Sequence, residues 1–157
     1  MGNLGSGKTT IAKLLASQPP DGELWQRLVI DNFRSPNRTE YEARQMLLDA
    51  VNRAKGDIIY ETTCSNLIHP KVMKAITARF SEVIRVKLHI TQASSLARAN
   101  GQSPWLVEHQ ISFTHIQTYL NGEWSDMYFD AETESAEDIA EKIKTGIITY
   151  FNSNFTC

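Results

Sequence analysis

The stretch Gly2-Asn3-Leu4-Gly5-Ser6-Gly7-Lys8-Thr9, with Thr10 behind it, decides how the rest of the chain is read. It meets every fixed position of the G-x-x-x-x-G-K-[ST] spacing. Gly2, Gly5 and Gly7 allow backbone angles that a side chain forbids, so successive amides can turn inward around an anion. The helix that starts at Gly7 or Lys8 adds its unpaired N–H groups and the positive end of its dipole. Lys8 supplies a full positive charge for β- and γ-phosphates, Thr9 offers a hydroxyl to a metal ion, and Thr10 can reach the α-phosphate. Residues 2–10 therefore read as the cradle of a nucleoside triphosphate, with ATP and Mg2+ as the expected cofactors. A Gly-rich turn that matched by accident would not need Lys-Thr to open a helix with Ile11, Leu14 and Leu15 on one face.

Outward from this loop the chain alternates helices with short apolar runs. Pro19-Pro20 ends the first helix. Leu28-Val29-Ile30 follows as a strand ending at Asp31, then a loop through Arg34 and Arg38. Thr39 and Glu42 have capping-box spacing, and Tyr41, Leu47, Leu48 and Val51 form the stripe of a helix closed by Gly56. Asp57 to Tyr60 reads as a strand ending at Glu61. Pro70 introduces a helix carrying Val72, Met73, Ile76 and Phe80. Val83 to Ile90 alternates as a strand; Thr91 caps a helix that reaches Arg98 and stops at Gly101. Ser103-Pro104 starts another, ending near Gly122. Met127 to Asp130 is the last strand, and Ser135 caps a final helix over roughly 136–144. Strands alternating with helices require crossovers, hence a mainly parallel α/β sheet with helices on both faces. Ligands bind such sheets at the carboxyl ends of the strands, so Asp31 and Glu61 fall on the same edge as the phosphate loop.

The chain has 157 residues, 41% hydrophobic and 22% charged, which suits one soluble globular domain spanning 1–157. No apolar run is long enough to span a bilayer, and the N-terminus carries no signal-peptide pattern, so a cytoplasmic location with no membrane partner is expected. A net charge of −2 argues against a large nucleic-acid interface without excluding a site for one strand end. Cys64 and Cys157 have neither a disulfide framework nor zinc spacing, and His69, His89, His109 and His115 show no metal pattern. Trp25, Trp105 and Trp124 can stack a base or simply pack; Trp105 is the one placed near a presumed lid.

A loop of this kind normally follows a buried strand, yet only Met1 precedes Gly2. The expectation is a sheet lacking its first, central strand, either truncated upstream or started at an internal methionine. The flanking strands would then face a gap of unpaired backbone, leaving the chain unstable or inactive by itself.

Three further features favour phosphoryl transfer. Asp31 stands where an acceptor hydroxyl would meet the γ-phosphate and can take its proton. Arg34 and Arg38 can grip an anionic acceptor, or stand as solvated charge. Glu61 can orient a metal-bound water or the acceptor, and Arg98 can close over the transferred group. GNLGSGKT, then Ile30-Asp31-Asn32-Phe33-Arg34, then a strand closing at Glu61, resembles the small P-loop kinases, most of all the polynucleotide 5′-kinase branch. That resemblance implies a three-layer P-loop NTPase-type fold. It also implies Asp31 as base, Arg34 on the acceptor phosphate, Glu61 as the acid after the third strand, and Arg98 as lid arginine. Departures are the single arginine in the lid and Glu in place of Asp at 61. Zeta-toxin-like kinases share an Asp-x-x-Arg loop followed by Pro, as in residues 31–36; deoxynucleoside kinases share the opening loop, but their acids do not map cleanly here. The chain therefore reads as a kinase whose acceptor is a hydroxyl of a nucleotide, a nucleic-acid end or a small metabolite. The alternatives are an ATPase or nucleotide switch with no acceptor, and a degenerate ATP-binding remnant. The stretch 130–133 is expected to border the adenine on the same likeness, and the oligomeric state is open.

Overall fold

The computed structural model describes residues 1–20, 22–99 and 106–154. Among the described residues, four short strands, β1 (Gln26–Leu28), β2 (Ile58–Tyr60), β3 (Val86–His89) and β4 (Met127–Asp130), are interleaved with six α-helices. These are α1 (Lys8–Ser17), α2 (Glu40–Arg53), α3 (His69–Arg79), α4 (Gln92–Ala99), α5 (Leu106–Gly122) and α6 (Ala136–Asn154). β1 pairs parallel with β2, in register Gln26 with Ile58, and β3 pairs parallel with β4, in register Val86 with Met127. Between the two pairs lies only a stub. Gly2 N–H donates to Thr62 O at 3.3 Å, Leu88 N–H donates to Met1 O at 2.9 Å, and Gly2 bridges Leu88 in parallel sense. The described strands thus form two two-stranded parallel sheets, with Met1 and Gly2 bonded to both.

Helices cover both faces, each bound by its own apolar stripe. Ile11 and Leu15 of α1 pack with Leu88 and with Ile139, Ile143 and Ile147 of α6. Leu28, Leu47, Val51, Val72 and Ile76 form a second core from β1, α2 and α3. Cys64 with Ile116 and Leu120 of α5 forms a third, smaller one beneath the N-terminal stub. The capping box of α2 is formed as spaced, with Thr39 Oγ1 accepting from Glu42 N–H and the Glu42 carboxylate accepting from Thr39 N–H.

Several boundaries differ from the sequence reading. Val29 and Ile30 leave the strand because Asn32 N–H donates to Val29 O and Arg34 N–H donates to Asp31 O, winding residues 30–33 into a 3-10 turn. Val83 to Arg85 precede β3 rather than belong to it. There the Asp126 carboxylate accepts from Arg85 N–H, and β4 begins only at Met127. α6 runs ten residues past the expected end at Lys144, through Gly146, where a Cβ would stand 2.2 Å from the Met127 side chain. The lid stretch with Gly101, Ser103-Pro104 and Trp105 lies outside the described residues, as does Cys157.

Candidate functional site

The N-terminal loop is held by its carbonyls. Lys8 Nζ donates to Asn3 O at 2.6 Å, Ser95 Oγ to Leu4 O at 2.9 Å, and Arg98 Nη1 to Gly5 O at 2.9 Å. The loop is also anchored from below. Buried Asn3 donates through Nδ2 to Phe113 O and Gln117 Oε1, both at 3.0 Å, and its Oδ1 accepts from Leu4 N–H. Ser6, fully buried, donates to Asn3 O at 2.8 Å. With these carbonyls pinned, the N–H groups of Gly5, Gly7, Lys8 and Thr9 donate to no protein group among the described residues. A row of free amides running into a helix start is an anion cradle.

The glycines serve it in two ways. Gly5 and Gly7 sit at φ 68° and 80°, the left-handed region that turns the amides inward. Gly2 is needed for room instead: a Cβ there would stand 2.5 Å from Ser6 Oγ and 3.1 Å from Leu88 Cβ.

Lys8 lies deep enough that burial lowers its ammonium to about 8, a fall that the charges of Glu61, Asp31 and Cys64 resist. Thr9 Oγ1 donates to Glu61 Oε2 at 2.8 Å. Two hard oxygen donors facing one another beside a phosphate cradle suit a magnesium ion. Glu61 is itself buried and paired with Arg27 Nε across the β1–β2 ladder. The structure therefore places Glu61 against Thr9, rather than out at the acceptor loop. Arg27 is the residue that sequence reasoning missed: it pairs in register with Ile59, two positions before Glu61, and only the adjacency of β1 and β2 brings the two together.

Asp31 stands on the 3-10 turn after β1 with its carboxylate largely exposed. Arg34 grips it through Nη1 and holds Glu40 with both Nε and Nη2 at 2.9 Å. Glu40, then Asp31, raise the guanidinium above its ordinary value, and Arg34 in turn lowers Glu40. Arg38 turns back onto Phe33 O. Asp31 and Arg34 thus form one exposed acid–base pair near the cradle, with Arg38 bracing the same loop.

Arg98, read as a lid cation, spans from the cradle to Ala131 O after β4. It ties the loop to the turn holding Asp130, Glu132 and Thr133, where Glu132 N–H donates to Asp130 Oδ1 at 3.0 Å. Thr10 is exposed on α1. Trp25 packs against the α1–α6 core, while Trp124 is exposed under Arg85. His89 stacks on Tyr128, as a strand histidine can. Away from the cradle, the fold brings Cys64, His69 and Glu123 to within 4.8 Å of one another, a grouping invisible in their sequence spacing.

No protein-family model and no characterised protein sequence matches the chain. Among solved structures it is similar to a gluconokinase from Sinorhizobium meliloti 1021. The two share 16% identity over 98% of this chain and 95% of that one, with a TM-score of 0.61. A deoxyadenosine kinase from M. mycoides aligns over 98% of this chain and 96% of its own, at 14% identity and a TM-score of 0.48. The gluconokinase likeness establishes the fold of a small P-loop kinase.

Proposed function

We propose that the chain is an ATP-dependent kinase that transfers the γ-phosphoryl group to a hydroxyl of a small acceptor or a nucleic-acid end. The observation that carries this reading is the cradle: the N–H groups of Gly5, Gly7, Lys8 and Thr9 without a protein partner among the described residues, and the carbonyls of Asn3, Leu4 and Gly5 held by Lys8, Ser95 and Arg98. When triphosphate is bound, Lys8 exchanges Asn3 O for phosphate oxygens, and the helix dipole of α1 adds to its charge. Magnesium, held by Thr9 with Glu61 behind it, would neutralise the phosphate oxygens. Asp31 then accepts the acceptor's proton, released from Arg34 as that guanidinium turns to an anionic group on the acceptor. The Asp31–Arg34 pair on the turn after β1 supports the polynucleotide-kinase and zeta-toxin likeness. The gluconokinase adds a small metabolite to the acceptors worth trying.

A second reading, a P-loop ATPase or nucleotide switch, is favoured by one observation. Glu61 is the acid that touches Thr9, while Asp31 is occupied by Arg34. Labelled ATP separates the two. With a panel of 5′-hydroxyl oligonucleotide, nucleoside, nucleotide sugar and gluconate, label on an acceptor establishes the kinase; acceptor-independent free phosphate establishes the ATPase. A protein that releases neither product but still binds Mg·ATP is a binding remnant.

A further inference from the structure

Three side chains that phosphoryl transfer does not use meet beside the small core under the N-terminal stub. Cys64 lies on the loop after β2, His69 opens α3, and Glu123 follows the last residue of α5. Cys64 and His69 are buried and Glu123 is half-buried. Their ligand atoms, a thiol sulfur, a ring nitrogen and a carboxylate oxygen, all lie within 4.8 Å of one another. A tetrahedral zinc ion, with bonds of about 2.0–2.3 Å, sets its ligand atoms about 3.4–3.6 Å apart, so side-chain shifts of about 1 Å or less close the group on an ion.

The surroundings orient the imidazole for this. Nδ1 stands 3.4 Å from both the Tyr60 hydroxyl and Thr62 Oγ1, while Nε2 faces Glu123 Oε1 at 3.8 Å, too far for a hydrogen bond. Tyr60 stacks on the ring at 5.8 Å between centroids. Metal-binding histidines keep this arrangement, in which the outer nitrogen meets a polar partner that fixes tautomer and ring plane. Thr62 serves twice, since its Oγ1 also accepts from Cys64 N–H at 2.9 Å and so places the thiol. The thiol itself donates to Met1 Sδ at 3.6 Å, a weak acceptor that an ion can replace. Lys87, the nearby cation, is turned onto Leu120 O.

We infer that Cys64, His69 and Glu123 form a binding site for a divalent ion of the zinc class, which clamps the β2–α3 connection to the end of α5. A carboxylate in the set disfavours monovalent copper, and a thiol with an imidazole disfavours magnesium. On binding, the Cys64 S–H bond breaks, a sulfur–metal bond forms, and the proton leaves to buffer. Thiolate and carboxylate then balance the charge of the ion. Thr62, His69 and Glu123 are among the walls of a cleft between β2 and β3, which gives the ion a way in and water access to its fourth position. Because α5 also carries Phe113 and Gln117, which hold Asn3, the clamp braces the helix that anchors the phosphate loop.

The test uses the reduced, chelator-treated 157-residue chain carrying Cys157→Ser, in which Cys64 is the single thiol, and cobalt(II) as the probe. Titration should saturate at about one equivalent, with a thiolate-to-cobalt charge-transfer band in the near ultraviolet and the intense visible bands of a four-coordinate ion; zinc should bleach both. Cobalt at the Thr9–Glu61 pair would have no sulfur ligand and give no such band, so the outcome is separate from that of the kinase reading. Zinc should also raise the melting temperature in the absence of nucleotide. His69→Gln and Glu123→Gln should each weaken cobalt binding by about tenfold or more. Thr62→Val keeps all three ligands and should weaken it by about tenfold, with Thr62→Ser restoring it. Absence of the charge-transfer band in the folded Cys157→Ser chain overturns the site, whatever the folding of the other variants. So does a band of unchanged affinity in His69→Gln and Glu123→Gln proteins that circular dichroism shows to be folded.

Discussion

Lys8 is the titrating group whose state can be read without knowing the acceptor. Before nucleotide binds, its ammonium is held near 8 by burial, against the attraction of Glu61 and Asp31. Between phosphate oxygens the charged form is favoured, so binding demands a proton on Lys8. The sign follows: affinity is full below about pH 8 and falls as pH rises through it, because the free protein then has to take up a proton to bind. About nine molecules in ten carry the charge near pH 7 and about one in ten near pH 9, so Mg·ATP affinity should weaken about tenfold between them. The Met1 amine, lowered to about 6, is neutral through that window and adds nothing. Calorimetry in two buffers of different ionisation enthalpy should show uptake of about half a proton per ATP near pH 8. Lys8→Arg, whose charge does not titrate, should flatten the pH dependence even if affinity falls. An unchanged Kd from pH 7 to 9 with no proton uptake would refute the burial of Lys8 in the cradle.

Other residues give separate outcomes. Asp31→Asn should lower acceptor turnover by about a hundredfold or more with Mg·ATP affinity within a few fold, because the carboxylate acts on the acceptor proton; equal loss of both would remove it from the role of base. Gly5→Ala should cost about 1–3 kcal/mol in chemical denaturation, since φ is 68° and the new Cβ would sit 3.3 Å from Ser95 Cα. Arg27→Met leaves the buried Glu61 carboxylate without its cation and should cost about 3–5 kcal/mol, of which Glu61→Gln in the same chain restores part; additive losses would mean the pair is not coupled.

Most of the site was legible because its chemistry is local. Residues 2–9 are contiguous, and their roles as turn, charge and hydroxyl follow from spacing alone. The capping box of α2 was legible for the same reason, since Thr39 and Glu42 touch across one helical turn. What escaped reading depends on which strand lies beside which. Arg27 meets Glu61 only because β1 and β2 are adjacent and parallel, and Cys64 and His69, at the entry to α3, are met by Glu123 from the far end of α5. Val83 looks like strand by alternation, but alternation records burial on two faces and not the presence of a neighbour to pair with. The use of Arg98 as a brace between Gly5 O and Ala131 O likewise needs the end of β4 to lie beside the loop.

The gap between β2 and β3, a cleft of about 470 Å3, also bears on how the molecule unfolds. The core of α1, β3, β4 and α6 lies on one side of it, and the core of β1, α2 and α3 on the other. They are linked through the two-residue stub and through side chains such as Ile59, which reaches from β2 toward the first core. A sheet paired straight across would make these cores one cooperative unit, because breaking either would strip the hydrogen bonds of the shared strand. With only Met1 and Gly2 bonded to both sheets, each core can open at its own free energy. Exchange in mild denaturant should therefore show Leu47 and Val72 opening with a different free energy from Leu88 and Ile139. Mg·ATP should narrow the difference, since the cradle is held by α4 and α5 while Thr9 is bonded to Glu61 on the other side. One common opening free energy for all four residues without nucleotide would mean that the stub and Ile59 suffice to join the halves. The phosphate loop would then rest on a sheet that already behaves as whole.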